Sequence, residues 1–324
     1  MRPISHITIF SLGLCATVVS ACGGPATSSP SAVTAPERSR ILPLTASPTP
    51  SPIPFSFQTV DVRNTDKNRV TAINDLGAIA GVFGTGEGDE IWASYIGRPA
   101  HTIKYPGARG TYVTSGSSGR VSGFVVDPGG KSGTFGFMRL KGVWSLFTDP
   151  KQGTGADAVT VIWDFNDSGY AVGYYLNSSG KKMPFALNIS TGRFTDLKPP
   201  GADQAEATGI NGKGGISGWE QASGEVQGFF EMTGTYFKLS FPGSAKTRAL
   251  RLNWQDQIVG DYVDSSGKTH GYLLSFPQAR QIWQSIDEPN AVNGTSVNGV
   301  NIHDQICGYY VDGNGVQNGF IANP

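Results

Sequence analysis

Ile73-Asn74-Asp75-Leu76-Gly77-Ala78-Ile79-Ala80-Gly81-Val82-Phe83 decides the fold, because it comes back. It returns as Phe165-Asn166-Asp167-Ser168-Gly169-Tyr170-Ala171-Val172-Gly173-Tyr174-Tyr175. It returns again around Ile210-Asn211 to Gly218-Trp219, Leu252-Asn253 to Gly260-Asp261, and Val300-Asn301 to Gly308-Tyr309. A degraded copy without the turn Asn runs from Gly119 to Gly123-Phe124. The glycines Gly81, Gly123, Gly173, Gly218, Gly260 and Gly308 are spaced by 42, 50, 45, 42 and 48 residues. Self-similarity at that period marks a repeat architecture. Asn and Asp suit a turn because their side chains bond nearby backbone, and the first Gly supplies a positive φ. The second Gly lies inside a strand, which suggests close approach of a neighbouring sheet.

Each unit holds four short apolar stretches, here called a to d. Stretch a precedes the Asn, as in Val70-Thr71-Ala72-Ile73, and b is the Gly-x-Ile-x-Gly run. A second turn follows, as in Asn177-Ser178-Ser179-Gly180 or Asp264-Ser265-Ser266-Gly267. Stretch c carries Gly136-Phe137, Pro184-Phe185, Gly228-Phe229, Gly271-Tyr272 and Gly319-Phe320. Stretch d is typified by Ile282-Trp283-Gln284-Ser285-Ile286 and ends in a Pro-led loop such as Pro242-Gly243-Ser244. Four strands per roughly 45 residues is the size of a propeller blade.

The two ends of the chain complement each other. The last unit stops after c, at Gly319-Phe320-Ile321-Ala322-Asn323-Pro324. The body begins with an unclaimed strand, Phe57-Gln58-Thr59-Val60-Asp61, which matches Trp283-Gln284-Ser285-Ile286-Asp287 in character. The expectation is an all-β, six-bladed propeller of four-stranded blades over residues 55–324, closed by the N-terminal strand completing the last blade. Closure removes the exposed edges that an open array must blunt.

Ahead of the body, an apolar stretch from Ile7 to Val19 follows Arg2. It is too short to span a bilayer and suits a signal-peptide core. Val19-Ser20-Ala21-Cys22 resembles the lipobox of bacterial lipoproteins. The resemblance implies cleavage after residue 21, lipidation of the Cys22 thiol and anchoring to a membrane of the cell envelope, outside the cytoplasm. The other reading is an ordinary secretory signal cleaved near Ala21. Residues 22–54 are rich in Ser, Thr, Ala, Pro and Gly, too poor in apolar surface to fold, and read as a disordered tether. With Cys22 acylated, Cys307 is left without a partner. It stands where other copies carry Ala80, Val172 or Val259, a small buried position.

The body also resembles a bacterial extracellular repeat family known by its His-Ala-Phe or His-Gly-Phe signature. Here the matching residues are His270-Gly271-Tyr272, preceded by Ile258-Val259-Gly260-Asp261-Tyr262. The resemblance implies secretion and a propeller-like fold, and no common reaction.

Composition narrows the partners. The formal net charge is zero, with 25 basic and 25 acidic residues among 324. That argues against a nucleic-acid footprint, which needs clustered Lys and Arg. His101, His270 and His303 fall at different places in their units, so no metal site is expected, nor any cofactor. There is no Gly-x-Ser-x-Gly elbow and no phosphate-cradling loop.

Function is sought where copies depart from the repeat. Two residues before the turn Asn, on the strand expected to line the channel, stand Ala72, Gly209 and Gly299, but also Asp164 and Arg251. These two charges read either as a polar ligand site or as a structural ion pair. The loop from Pro150 to Asn166 takes 16 residues where the fourth and fifth units take 11, which brings in Asp157. Trp163 joins Asp164, Arg251 and Asp157 as a candidate ligand-binding residue. Tyr174, Tyr175, Trp219, Tyr309 and Tyr310 follow the strand-b glycine and read mainly as packing between blades, with any exposed ring available to stack on a sugar. The expected function is a monomeric, lipid-anchored, non-catalytic propeller that binds glycan or protein. The alternative is a glycan hydrolase or lyase with carboxylates at the central channel.

Overall fold

The computed structural model describes residues 51–61, 65, 67–84, 89–94, 101–117, 119–276 and 280–324. The expected signal peptide, Cys22 and all of the tether before residue 51 lie outside the described residues. Among these residues, beyond two single 3-10 turns, all regular structure is β.

Five blades are each one run of chain. The first is β2 (Asn68–Ile73), β3 (Ile79–Gly84), β4 (Asp89–Ser94) and β5 (His101–Ile103). The second is β6 (Gly110–Ser117), β7 (Arg120–Val126), β8 (Thr134–Leu140) and β9 (Val143–Phe147). The third is β10 (Thr160–Phe165), β11 (Tyr170–Leu176), β12 (Lys182–Asn188) and β13 (Arg193–Asp196). The fourth is β14 (Gln204–Ile210), β15 (Ile216–Ala222), β16 (Glu225–Met232) and β17 (Thr235–Leu239). The fifth is β18 (Lys246–Leu252), β19 (Ile258–Val263), β20 (Thr269–Ser275) and β21 (Ile282–Ile286). The four strands that remain make a composite sheet, β22 (Gly294–Val300), β23 (Ile306–Val311), β24 (Gln317–Asn323) and, outermost, β1 (Ser56–Val60).

The blade count therefore needs restating. Blades built from a single run of chain number five, and the expectation of six counts the composite sheet as well. That sheet pairs Ser56 with Asn323 through Val60 with Gly319. It also completes the ring of inner strands. β2 touches β6 and β22, β10 touches β6 and β14, and β18 touches β14 and β22. Upstream of β1, Ile53 exchanges two hydrogen bonds with Gln284 of β21, at 2.9 and 2.7 Å.

One device recurs in every inner strand. The pairing of the a and b strands slips by one residue, leaving Thr71, Thr114, Trp163, Thr208, Leu250 and Asn298 as bulges. Beside the bulge, a strand-a carbonyl presses on the strand-b glycine. A Cβ on Gly173 would lie 1.9 Å from the Val161 oxygen, and one on Gly260 would lie 1.9 Å from the Arg248 oxygen. The same glycines are covered from strand c by Phe137, Phe185, Phe229, Tyr272 and Phe320, all essentially buried. The strand-b glycine yields room to its own sheet, and not to a neighbouring sheet as its place inside a strand suggested. Close approach between sheets is made by strand c, where Gly136 faces Ile162, Gly271 faces Val297 and Gly319 faces Val70 of the following blade.

The turn Asn works in two directions. Its Oδ1 caps the turn, as when Asn211 accepts from Lys213 N and Gly215 N. Its Nδ2 crosses to the next blade. Asn166 donates to Asn211 O, Asn211 to Asn253 O, Asn253 to Asn301 O and Asn301 to Asn74 O, at 3.0 to 3.1 Å. Buried hydrogen bonds of this kind are costly to leave half-made.

Three measurements test this packing. Gly173→Ala is expected to cost about 2 kcal/mol or more in urea unfolding, because the new Cβ meets backbone. Gly116→Ala, whose Cβ would have only ordinary contacts beyond 3.6 Å, should change stability by less than about 0.5 kcal/mol. Cys307 is fully buried and burial pushes its thiol pKa up to about 12. A thiol reagent should therefore label Cys307 only as fast as the protein unfolds, and rapid labelling of native protein would contradict its placement.

Candidate functional site

The inner strands wall a cavity of about 330 Å³ at one mouth of the ring. All six bulge residues line it, which fixes its position on the central axis. Threonine suits the bulge because its hydroxyl reaches the adjoining strand. Thr71 donates to Val113 O, Thr114 to Ile162 O and Thr208 to Ala249 O, at 2.7 to 3.1 Å. Asn298 does the same through its amide, to Val70 O at 3.0 Å. Trp163 instead sends its indole N–H to Glu206 Oε2 of the following blade at 2.8 Å.

Arg251 forms the floor. It is 8% exposed, and its guanidinium donates to the carbonyls of Trp163 (3.1 Å), Thr208 (3.0 Å), Thr114 (2.7 Å) and Thr71 (3.3 Å). Those acceptors belong to four different inner strands. Its charge is met by Asp164, with Nη1 3.1 Å from Oδ2, and that oxygen also accepts from Ile210 N at 3.0 Å. A second cavity of about 430 Å³ opens at the a–b turns, lined by Asp164 and by turn residues such as Asn74, Asn166, Asn211 and Trp254. Arg251 lines both cavities and so separates them.

Above the floor, charged side chains come in pairs. Glu206, 4% exposed, is bound by Lys182 Nζ as well as by Trp163. The Lys182 ammonium lies 5.1 Å from the ring centroids of both Tyr174 and Trp219. Asp261, 2% exposed, is gripped bidentately by Arg248 at 2.8 and 2.6 Å and accepts from Ser296 Oγ at 3.0 Å. Burial works against the Arg248 charge, but Asp261 more than offsets it and holds the guanidinium pKa above its ordinary value. Burial, reinforced by Glu206, pushes the Tyr174 hydroxyl well above the usual phenolic range. Arg69 stands over the Tyr309 ring at 5.2 Å and donates from Nε to Gln317 Oε1 at 2.7 Å.

The residues singled out from sequence are therefore dispersed. Trp163 and Arg251 reach the first cavity, while Asp164 faces the second from behind the floor. Asp157 is exposed in its loop and lines neither. The strand-b aromatics divide as well. Tyr175 and Tyr310 are buried in blade cores, whereas Trp219 and Tyr309 line the cavity.

Sequence reasoning missed Arg69, Lys182, Glu206, Arg248 and Asp261. A signal was present. Glu206 pairs across the sheet with Trp219, Arg248 with Asp261 and Ser296 with Tyr309. These are the residues five before the turn Asn and one after the strand-b glycine, positions whose identity changes from copy to copy. Among the described residues, no group of three or more His, Cys, Asp and Glu is placed to hold a metal ion.

No family model and no curated protein matches this chain. Solved structures do. TolB from Acinetobacter baumannii is similar at 12% identity and a TM-score of 0.54, over 77% of this chain and 64% of that one. This chain thus spans just under two thirds of that protein's length. A TolB-like protein from Agrobacterium tumefaciens aligns at 10% identity and a TM-score of 0.55, over 83% and 98%. AofleA from Arthrobotrys oligospora aligns at 12% identity and a TM-score of 0.51, over 82% and 86%. At such identities the likeness shows the fold alone, a β-propeller.

The floor makes a separable prediction. Arg251→Met leaves Asp164 and four carbonyls without their donor and should cost about 3–5 kcal/mol in denaturant unfolding. Asp164→Asn leaves the guanidinium its four carbonyls and should cost less. The double variant should stay close to Arg251→Met; return to wild-type stability would mean the ion pair, and not the carbonyl set, is what Arg251 serves.

Proposed function

We propose that this protein is a lipid-anchored envelope propeller that acts as a monomeric, non-catalytic binding module, and that its ligand occupies the cavity above Arg251. The anchor rests on sequence: the apolar stretch to Val19, the small residues before Cys22 and the Pro-rich run before the body. The repeat-family resemblance, which implies secretion, points the same way. Among the described residues no helix is long and apolar enough to cross a membrane.

The binding reading is carried by one observation. At the cavity the repeat abandons its small, uniform residues for Trp163, Trp219, Tyr309 and pre-paired charges. A concave site with aromatic walls and a few fixed polar groups suits a small ligand or a sugar ring. Strands rather than loops hold these side chains, so the site is preorganised and binding orders little.

The enzyme alternative draws on Glu206 and Asp261 sharing the cavity. Both are already committed, Glu206 to Lys182 and Trp163, Asp261 to Arg248 and Ser296. An acid–base pair needs one carboxyl free to exchange a proton with substrate. The arrangement therefore favours recognition over turnover.

A screen of glycans and envelope polysaccharides, read for both binding and product, tests the assignment. A bound glycan is expected, with Trp219→Ala weakening it at least tenfold and no product formed. Product whose appearance is abolished by Glu206→Gln would replace the binding reading with the enzymatic one. For the anchor, Cys22→Ala should release the protein into the soluble fraction, and a variant that stays membrane-bound through salt washing would remove the lipid assignment.

A further inference from the structure

The cavity carries a charge that its own pairs do not cancel. Of its four cations, Lys182 is matched by Glu206, Arg248 by Asp261 and Arg251 by Asp164. Arg69 has no carboxylate partner among the described residues. Its Nε is spent on Gln317 and its plane is set by Tyr309, which leaves both terminal nitrogens of the fork without a bond partner among those residues. An arginine held this way is ready for a planar anion, because the geometry of the fork matches a carboxylate bidentately.

From this we infer that the ligand is a carboxylate-bearing sugar, a single hexuronate residue of an acidic saccharide, with its carboxylate on Arg69. The inference rests on the binding reading above and narrows it. Three features of the cavity correspond to three parts of such a ring. The open fork of Arg69 takes the carboxylate. Glu206 and Asp261, each with lone pairs beyond those its cation uses, accept from ring hydroxyls. The Trp163 and Trp219 side chains provide apolar wall for the C–H face of the sugar. The volume of about 330 Å³ lies at the small end for ligand pockets, so one ring is held and the remainder of a chain stays outside.

The test is calorimetric titration of the full chain with uronate trisaccharides (galacturonate, glucuronate and mannuronate), their methyl esters, the neutral parent trisaccharides, and benzoate. At least one uronate should bind about tenfold or more tightly than its ester, and raising salt should erode that preference, since an exposed ion pair is screened. Arg69→Gln should abolish the preference for acid over ester without lowering the melting temperature, because the side chain is at the rim. Equal or tighter binding of the esters or neutral sugars overturns the acidic-ligand inference and leaves glycan binding standing. Benzoate binding more tightly than every uronate overturns the sugar assignment. Binding of no saccharide overturns this inference together with the glycan reading.

Discussion

Everything in this propeller depends on the bulge in the inner strand of each sheet. The extra residue bends the strand and drives the carbonyl beside it against strand b, where only glycine leaves room. The vacancy above that glycine is filled by the strand-c aromatic, so five of the sheets, those of Gly123, Gly173, Gly218, Gly260 and Gly308, are locked by a carbonyl on one side and a ring on the other. The bulge also frees a side chain and a carbonyl from the ladder. In five of the six sheets, all but that of Leu250, the side chain ties one blade to the next, and carbonyls from four of the inner strands turn to where Arg251 collects them.

Arg251 thus performs for the ring what the aromatic performs for each blade. The two terminal nitrogens of the guanidinium carry four donors in a rigid fork, and these meet carbonyls from four inner strands, with Asp164 beside Nη1. A charge of this kind is costly to bury unless it is paired and hydrogen-bonded. Its position turns a through-channel into two separate cavities. The first cavity is closed at its base, which is why Asp164, adjacent in sequence to Trp163, belongs to the other mouth.

The repeat was legible because its chemistry is local. The turn Asn of five copies, the glycine of strand b and the aromatic of strand c each impose a requirement met within one sheet, and each recurs at the blade period. The joining of the N-terminal strand to the last blade was legible for the same reason, since a missing outer strand at one end and a surplus strand at the other leave one arrangement that pairs both, while the register of Phe57 on Ala322 came from the structure. The reason for the strand-b glycine was misread, because sequence spacing does not say which backbone a glycine faces.

The cavity is a different kind of object. Arg69, Lys182, Glu206, Arg248 and Asp261 are separated by up to 192 residues and meet only because the ring closes. By itself the sequence determined the strands, the turns and the joining of the two ends. Those follow from period, from the φ demands of glycine and from hydrogen bonds between near neighbours. Only the tertiary structure decided that the bulges face one axis, that Arg251 plugs it, and that the Arg69 fork is open among the described residues. Those follow from closure, which converts equal positions in successive repeats into neighbours around a ring and makes the few unequal side chains there into a site.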